Sequence, residues 1–308
     1  MNDRTSQLEH DEASAIRCTE RISAEFHGLS ARPLEPALYL IATPIGNLSD
    51  ITLRALSVLV RADKIYCEDT RHSRKLTNHY GITARLIAYH DHSTDSVRDR
   101  ILTELKAGSS VALISDAGTP LISDPGFKLS QLAIEHGLKV ISLPGPTAPI
   151  VALTSSGLPT DNFQFLGFLP NKSGARRERI STIKNADCVS VFFETPTRLS
   201  AALGDLHDIL GNRQAVVARE LTKIHEEFKR GQLSDLKAWA DEGQIKGEIV
   251  ILISPDAEPE INDDDILRAL NRAMNPMSLK DAARDVADEL GVAKKRVYEL
   301  GLSGLNKK

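Results

Sequence analysis

Four short clusters in this chain combine residue types that can do chemistry, and three of them directly follow apolar runs. In Cys67-Glu68-Asp69-Thr70-Arg71, two carboxylates and an arginine sit at the end of such a run. A carboxylate there can accept a proton from a weakly acidic hydroxyl while Arg71 holds a phosphate. The same grouping can equally be a local ion-pair cluster that only shapes the loop. The second cluster, SDAGTPLISDPG at 115–126, packs two aspartates, two prolines and two glycines into one turn-rich stretch. Asp116 can accept hydrogen bonds from a polar ligand and the amides near Gly118 and Thr119 can face one, although two Asx turns alone would explain the composition. The third, LPGPTA at 143–148, fixes the backbone with Pro144-Gly145-Pro146 and opens a helix at Thr147. The fourth, at 171–184, sets Lys172, Arg176, Arg177, Arg179 and Lys184 against a single Glu178. It fits a phosphate backbone, or simply a solvated helix face.

The elements that must position these clusters are visible in the hydropathy pattern. Apolar runs at 38–42, 64–67, 85–89, 111–115 and 139–143 alternate with helical stripes at 49–62, 94–106 and 127–136. Continuous apolar strands separated by amphipathic helices predict a parallel sheet covered on both faces. Ligands of such sheets bind beyond the carboxyl ends of the strands, which brings the loops 43–48, 68–72, 90–93, 116–125 and 144–148 to one rim. A dinucleotide fingerprint is excluded there, although Glu68 stands where a ribose-binding acid would. ATPIGN has one glycine where three are needed, and Pro44 removes an amide.

After Pro159 the pattern restarts, with strands at 163–169, 189–193, 215–218 and 248–254 and helices near 176–183, 198–210 and 234–240. The acidic, proline-bearing stretch 256–260 reads as a linker. Helices near 266–274, from Ser278 to the turn at Gly291, and around 297–300 then give a helix-turn-helix pattern, with Asp281 completing a capping-box signal. The expected organisation is thus a flexible extension at 1–36, α/β domains at 37–159 and 160–257, and a helical module at 262–308.

In order along the chain, TPIGNLSDITLRAL, CEDTR, SDAGTPLISDPG, LPGPTA, FLGFLP, FFETPTR and GEIVILI make it resemble the ribosomal RNA methyltransferases of the tetrapyrrole-methylase superfamily. The resemblance runs from about Leu38 to the C-terminus. It implies two α/β domains with the cofactor S-adenosyl-L-methionine in the cleft between them. It also implies 2′-O-methylation of a cytidine ribose in the decoding region of small-subunit ribosomal RNA, on naked RNA or on the assembled small subunit, by a homodimer. Carried onto this sequence, the cofactor contacts are Pro44, Ile45, Asp116, Thr119, Thr147, Ala148, Phe193, Ala218 and Gly247. Glu68 or Asp69 would be the general base, and Arg71, Lys172, Arg176 and Arg177 would meet RNA. Where the superfamily has Gly-Asp-Pro this chain has Ser115-Asp116-Ala117, which leaves the backbone shape around Asp116 open.

Bulk properties restrict the remaining classes. With 308 residues, 41% hydrophobic and 26% charged, the chain reads as a soluble globular protein. No apolar run is long enough for a bilayer, and the N-terminus lacks the basic start and apolar core of a secretory signal. Three scattered cysteines argue against a disulfide framework or a metal site and fit a cytoplasmic protein. A net charge of −4 disfavours indiscriminate coating of nucleic acid but leaves a local basic face possible. Two other readings compete. A methyltransferase of the same architecture acting on a small, tetrapyrrole-like molecule should lack both the 171–184 segment and the helical tail. A DNA-binding, ligand-sensing regulator explains Lys294-Lys295-Arg296 in the tail but leaves the rim loops without a purpose, and Asp263-Asp264-Asp265 disfavour it.

Overall fold

The computed structural model describes residues 2–90, 95–255, 263–274 and 277–305. The stretch 256–260 read as a linker, and most of the expected rim loop at 90–93, lie outside these residues. The chain forms two compact units, Met1–Pro255 and Asp256–Lys308.

The larger unit opens with α1 (Asn2–Ala31), followed by β1 (Leu38–Ile41), α2 (Leu53–Arg61), β2 (Lys64–Cys67), α3 (Thr70–His79), β3 (Leu86–Ala88), α4 (Asp95–Lys106), β4 (Val111–Ile114), α5 (Phe127–Glu135) and β5 (Val140–Leu143). The five strands form a wholly parallel sheet in the order β3-β2-β4-β1-β5. Strand alternation sends Tyr39, Ile41, Ile65, Cys67, Ala112 and Ile114 to a core shared with α2 and α3. Their neighbours Leu38, Leu40, Tyr66, Val111 and Leu113 pack on the opposite face against α4 and α5. Both faces are therefore dry, which is why these strands read as unbroken apolar runs.

The chain continues through α6 (Ala148–Ser156), β6 (Phe163–Phe168), α7 (Ser173–Ser181), β7 (Val189–Glu194), α8 (Pro196–Leu210), β8 (Gln214–Arg219), β9 (Glu227–Gln232), α9 (Leu233–Glu242) and β10 (Ile249–Ile253). The second sheet has the order β6-β7-β10-β8-β9, with only the β6–β7 pair parallel. In β10, Ile249, Ile251 and Ile253 face a core with Leu199, Leu203 and Leu206 of α8. Val250 and Leu252 face the other way, toward Ala152 and Leu153 of α6 and toward Ile45 from the first sheet's rim. Helix α6 thus precedes residue 159 in sequence yet is buried on the second sheet, so the expected division at 159/160 falls inside one packed unit.

Three elements of this unit differ from expectation or were not anticipated. Residues expected to be an irregular extension form α1, a 30-residue helix. Proline is absent until Pro33 and glutamate, alanine and arginine are frequent, which favours a helix, but no apolar stripe marks it. Strand β9, EFKRGQ, is a polar edge strand paired only with β8, so its sequence lacks an apolar run. Helix α3, TRHSRKLTNH, is almost as polar.

The smaller unit contains α10 (Asp263–Ala273), α11 (Leu279–Leu290) and α12 (Lys294–Leu305). Ile266, Leu270, Ala282, Ala283, Val286 and Val297 form its core. Ser278 caps α11 by accepting from the Asp281 amide, and Gly291 ends it in the left-handed conformation (φ 64°). The three aspartates start α10, where carboxylates complement the helix dipole, and Arg296 bonds back to Asp263 at 2.7 Å.

Candidate active site

The carboxyl ends of β1, β4 and β5 deliver three loops to the expected rim, and direct bonds lock them together. Thr43 and Gly118 form an antiparallel bridge in which each amide donates to the other's carbonyl at 2.9 Å. The Thr119 hydroxyl donates to the Pro146 carbonyl at 3.1 Å. Gly145 lies so close to Ala42 that a side chain at 145 would collide with its methyl group. The Ser115 hydroxyl donates to the carbonyls of Ala117 and Gly118, at 3.3 and 3.1 Å. That fixes the backbone shape at Ser115-Asp116-Ala117 which the sequence left open. The bridge also corrects one expectation, because the Gly118 amide is bonded to Thr43 and is not available to a ligand.

Opposite these loops stands the segment after β8, where Glu220 and Thr222 adopt positive φ (50° and 63°). Leu121 and Ser123 do the same on the near side (72° and 67°). Non-glycine residues in this region carry strain and cluster where a ligand is clamped. Gly247, φ 92°, abuts Glu220 with no space for a side chain, and Gly46 is pressed in the same way against Leu221, Thr222 and Lys223.

Between the two walls lies a cleft of about 320 Å³. Ile45, Asp116, Thr119, Thr147, Ala148, Phe193 and Gly247 all line it. Two residues expected there do not. Pro44 faces a neighbouring cavity. Ala218 is fully buried in β8 beside its cross-strand partner Val250, which lines the wall instead. Leu221, Glu194 and Glu248 line the cleft without having been anticipated, the two carboxylates although they stand in the motifs FFETPTR and GEIVILI. Phe193 stacks against Phe165 and Phe168, with centroids 4.9 and 5.4 Å apart, giving an aromatic wall.

The charge of the lining is one-sided. Asp116, Asp124, Glu194 and Glu248 contribute four carboxylates and, among the described residues, no lysine or arginine lines the cleft, although Glu194 is buried against Arg198 at 2.5 Å and Glu248 is paired with Lys223 at 3.0 Å. Such a site suits a cationic ligand with an apolar ring system and rejects a pyrophosphate. A sulfonium nucleoside carrying an amino-acid tail has this character, so these residues fit S-adenosylmethionine.

Glu68 and Asp69 stand at the end of β2, outside the cleft's lining. Asp69 caps α3 and accepts from the Arg71 amide (2.8 Å), Nε (3.1 Å) and Nη2 (2.8 Å). Its bonds to Arg71 hold its carboxyl well below the usual carboxylate range, which makes it a poor proton acceptor. Its amide in turn donates to Asp116 at 3.0 Å, joining the β2 loop to the cleft. Glu68 is half-buried.

The basic segment divides. Lys172 is exposed at the start of α7. Arg177 is half-exposed and bonded to Asp205 and Asp208 at 2.7 and 3.0 Å. Arg176, expected to face RNA, is buried with its Nε 2.7 Å from Asp205. The helical period that exposes Glu178 and Arg179 turns Arg176 inward beside Ile180, while Lys172 is the extended N-cap outside the helix.

Comparison with known proteins agrees with this architecture. The profile described as Tetrapyrrole (Corrin/Porphyrin) Methylases matches residues 37–237, and that described as RsmI C-terminal HTH domain matches 260–305. The chain is 48% identical over 272 residues to ribosomal RNA small subunit methyltransferase I of Mesorhizobium japonicum, covering 88% of this chain and 92% of the relative. It is 43% identical over 277 residues to the protein of that name from Escherichia coli O157:H7, covering 89% and 97%. Among solved structures, diphthine synthase superposes with a TM-score of 0.57 at 16% identity (71% of this chain, 90% of that one). Cobalt precorrin-4 methyltransferase superposes with a TM-score of 0.55 at 18% identity (71% and 95%), so the fold is shared where the sequence has diverged. With two matching profiles and relatives of one name along most of its length, the chain belongs to the tetrapyrrole methylase family, in the group of ribosomal RNA small subunit methyltransferase I.

Proposed function

We propose that the chain methylates small-subunit ribosomal RNA, using S-adenosyl-L-methionine, at the 2′-hydroxyl of a cytidine in the decoding region. The observation that carries the donor assignment is the cleft itself, in which Asp116 faces the aromatic wall of Phe193 and Phe168 and, among the described residues, no lysine or arginine joins the lining. The substrate assignment rests on the names of the relatives.

When bound, the donor supplies an electrophilic methyl group on a cationic sulfur. The residues of the cleft would orient it: Phe193, Ile45 and Leu221 against its apolar surface, and Asp116 toward its positive charge. Methylation forms a bond from the ribose oxygen to the methyl carbon, breaks the carbon–sulfur bond and releases the hydroxyl proton. Of the two carboxylates at the end of β2, Glu68 is the better candidate to take that proton, because Asp69 is committed to Arg71 and to the cap of α3. Lys172 and Arg71 would meet phosphates from exposed positions. The reading includes a homodimer in the cytoplasm.

The test is incubation of the purified protein with tritiated donor and, separately, small ribosomal subunits, bulk DNA and a tetrapyrrole precursor. Label is expected in ribosomal RNA, in a dinucleotide that resists alkaline hydrolysis because its 2′-oxygen is blocked. Label in the precursor, or in an alkali-sensitive nucleotide, overturns the assignment.

A further inference from the structure

A second cavity, of about 300 Å³, adjoins the acidic cleft and shares Ile45, Asp116, Ala117 and Glu248 with it. Its remaining wall has the opposite character, because His72, Ser73 and Lys75 from the first turns of α3 line it together with Lys223.

Lys223 is already neutralised, with Nζ 2.8 Å from Glu220 and 3.0 Å from Glu248. Lys75 is exposed and, among the described residues, forms no ion pair. Ser73 is 3% exposed and lines the cavity, and its hydroxyl has no hydrogen-bond partner of normal geometry. The Cys67 thiol is beside it: burial raises that thiol's pKa and the Ser73 hydroxyl offsets part of the rise. A thiol is a weak partner, so the hydroxyl keeps its capacity to donate elsewhere.

We propose that this cavity is the acceptor-side subsite, holding the 3′-phosphate of the nucleotide to be methylated through Lys75 and the Ser73 hydroxyl. This rests on the ribose-methylation reading above. The 3′-phosphate hangs from the carbon next to the one bearing the 2′-hydroxyl, so pinning it fixes the nucleophile at the shared wall near Asp116. Lys75 gives the α3 wall of this cavity a cation that the cleft's lining lacks, while Asp116 and Glu248 stand on the wall the two share.

The experiment compares wild type, Lys75→Ala, Lys75→Arg and Ser73→Ala on isolated small ribosomal subunits, with donor affinity measured separately by calorimetry. Lys75→Ala is expected to raise KM for subunits about ten-fold, the loss of one charge-assisted contact, and to lower the salt dependence of binding by about one counterion. Lys75→Arg is expected to restore both, and Ser73→Ala to raise KM in the same direction, with donor affinity kept within about two-fold in every variant. An unchanged KM and salt slope in Lys75→Ala, with wild type active, overturns the subsite and leaves the methylation reading standing. A wild type that binds donor but never labels subunits removes the methylation reading, and this subsite with it.

Discussion

Arg176 and Asp205 form a buried ion pair, with Nε 2.7 Å from Oδ2 and side-chain exposures of 8% and 11%. Asp205 also accepts from Arg177 at 2.7 Å, so one carboxylate ties two successive residues of α7 onto α8. Removing one partner of such a pair strands the other charge in a medium that cannot solvate it. Arg176→Ala is therefore expected to destabilise the fold by about 3–5 kcal/mol in urea titration. The salt dependence of RNA binding should stay that of wild type. Lys172→Ala should do the reverse, lowering the salt slope by about one with little change in stability.

The same carboxylate sets a pH dependence. Burial alone would raise the Asp205 pKa, but the hydrogen bonds and charges of Arg177 and Arg176 outweigh it and leave it lowered. A carboxyl held below its unfolded value stabilises the fold fully above that value, about pH 3.9, and loses the contribution as pH falls through the folded pKa. The stability gap between wild type and Asp205→Asn should be constant near neutrality and narrow only in that acid window, as denaturation curves across pH will show.

Glu68 and Asp69 are adjacent but should behave differently. Glu68→Gln is expected to slow single-turnover methylation by about 10²–10⁴-fold if it accepts the ribose proton. Asp69→Ala should mainly lower the melting temperature, because it removes the cap of α3 and the anchor of Arg71. Equal rates for Glu68→Gln and wild type would sink the base assignment.

Gly247→Ala tests the cleft wall. A side chain there meets Glu220 and must adopt φ 92°, at a cost of about 1–3 kcal/mol that falls on the segment facing the donor. Weaker donor binding is expected by calorimetry, with the helical unit's circular dichroism unchanged.

The sheet was legible because both its faces are buried: Leu38–Ile41 and Val111–Ile114 are apolar at every position, and no loop could carry such runs. Part of the cleft was legible for a related reason, since Thr119 and Thr147 stand in turns rich in proline and glycine, whereas Phe193 and Gly247 were reached only through the motifs the chain shares with the family. Arg176 was misread because a charge run does not show which of its members the helix turns inward. That depends on Asp205, 29 residues away. Helix α3 went unread because its polar residues surround a short buried strip of Ser73, Leu76 and Thr77. The carboxylates Glu194 and Glu248 sit at strand ends, where sequence alone cannot tell a wall from a surface.

The placement of α6 governs how the chain can be made and cut. Ala152 and Leu153 leave the ribosome well before Val216, Val250 and Leu252, the residues that cover them. The amino-terminal half must therefore wait with an apolar helix uncovered until β10 is synthesised. A fragment ending near residue 159 would keep a complete parallel sheet and still present that sticky helix to solvent, so it should associate or be captured by chaperones.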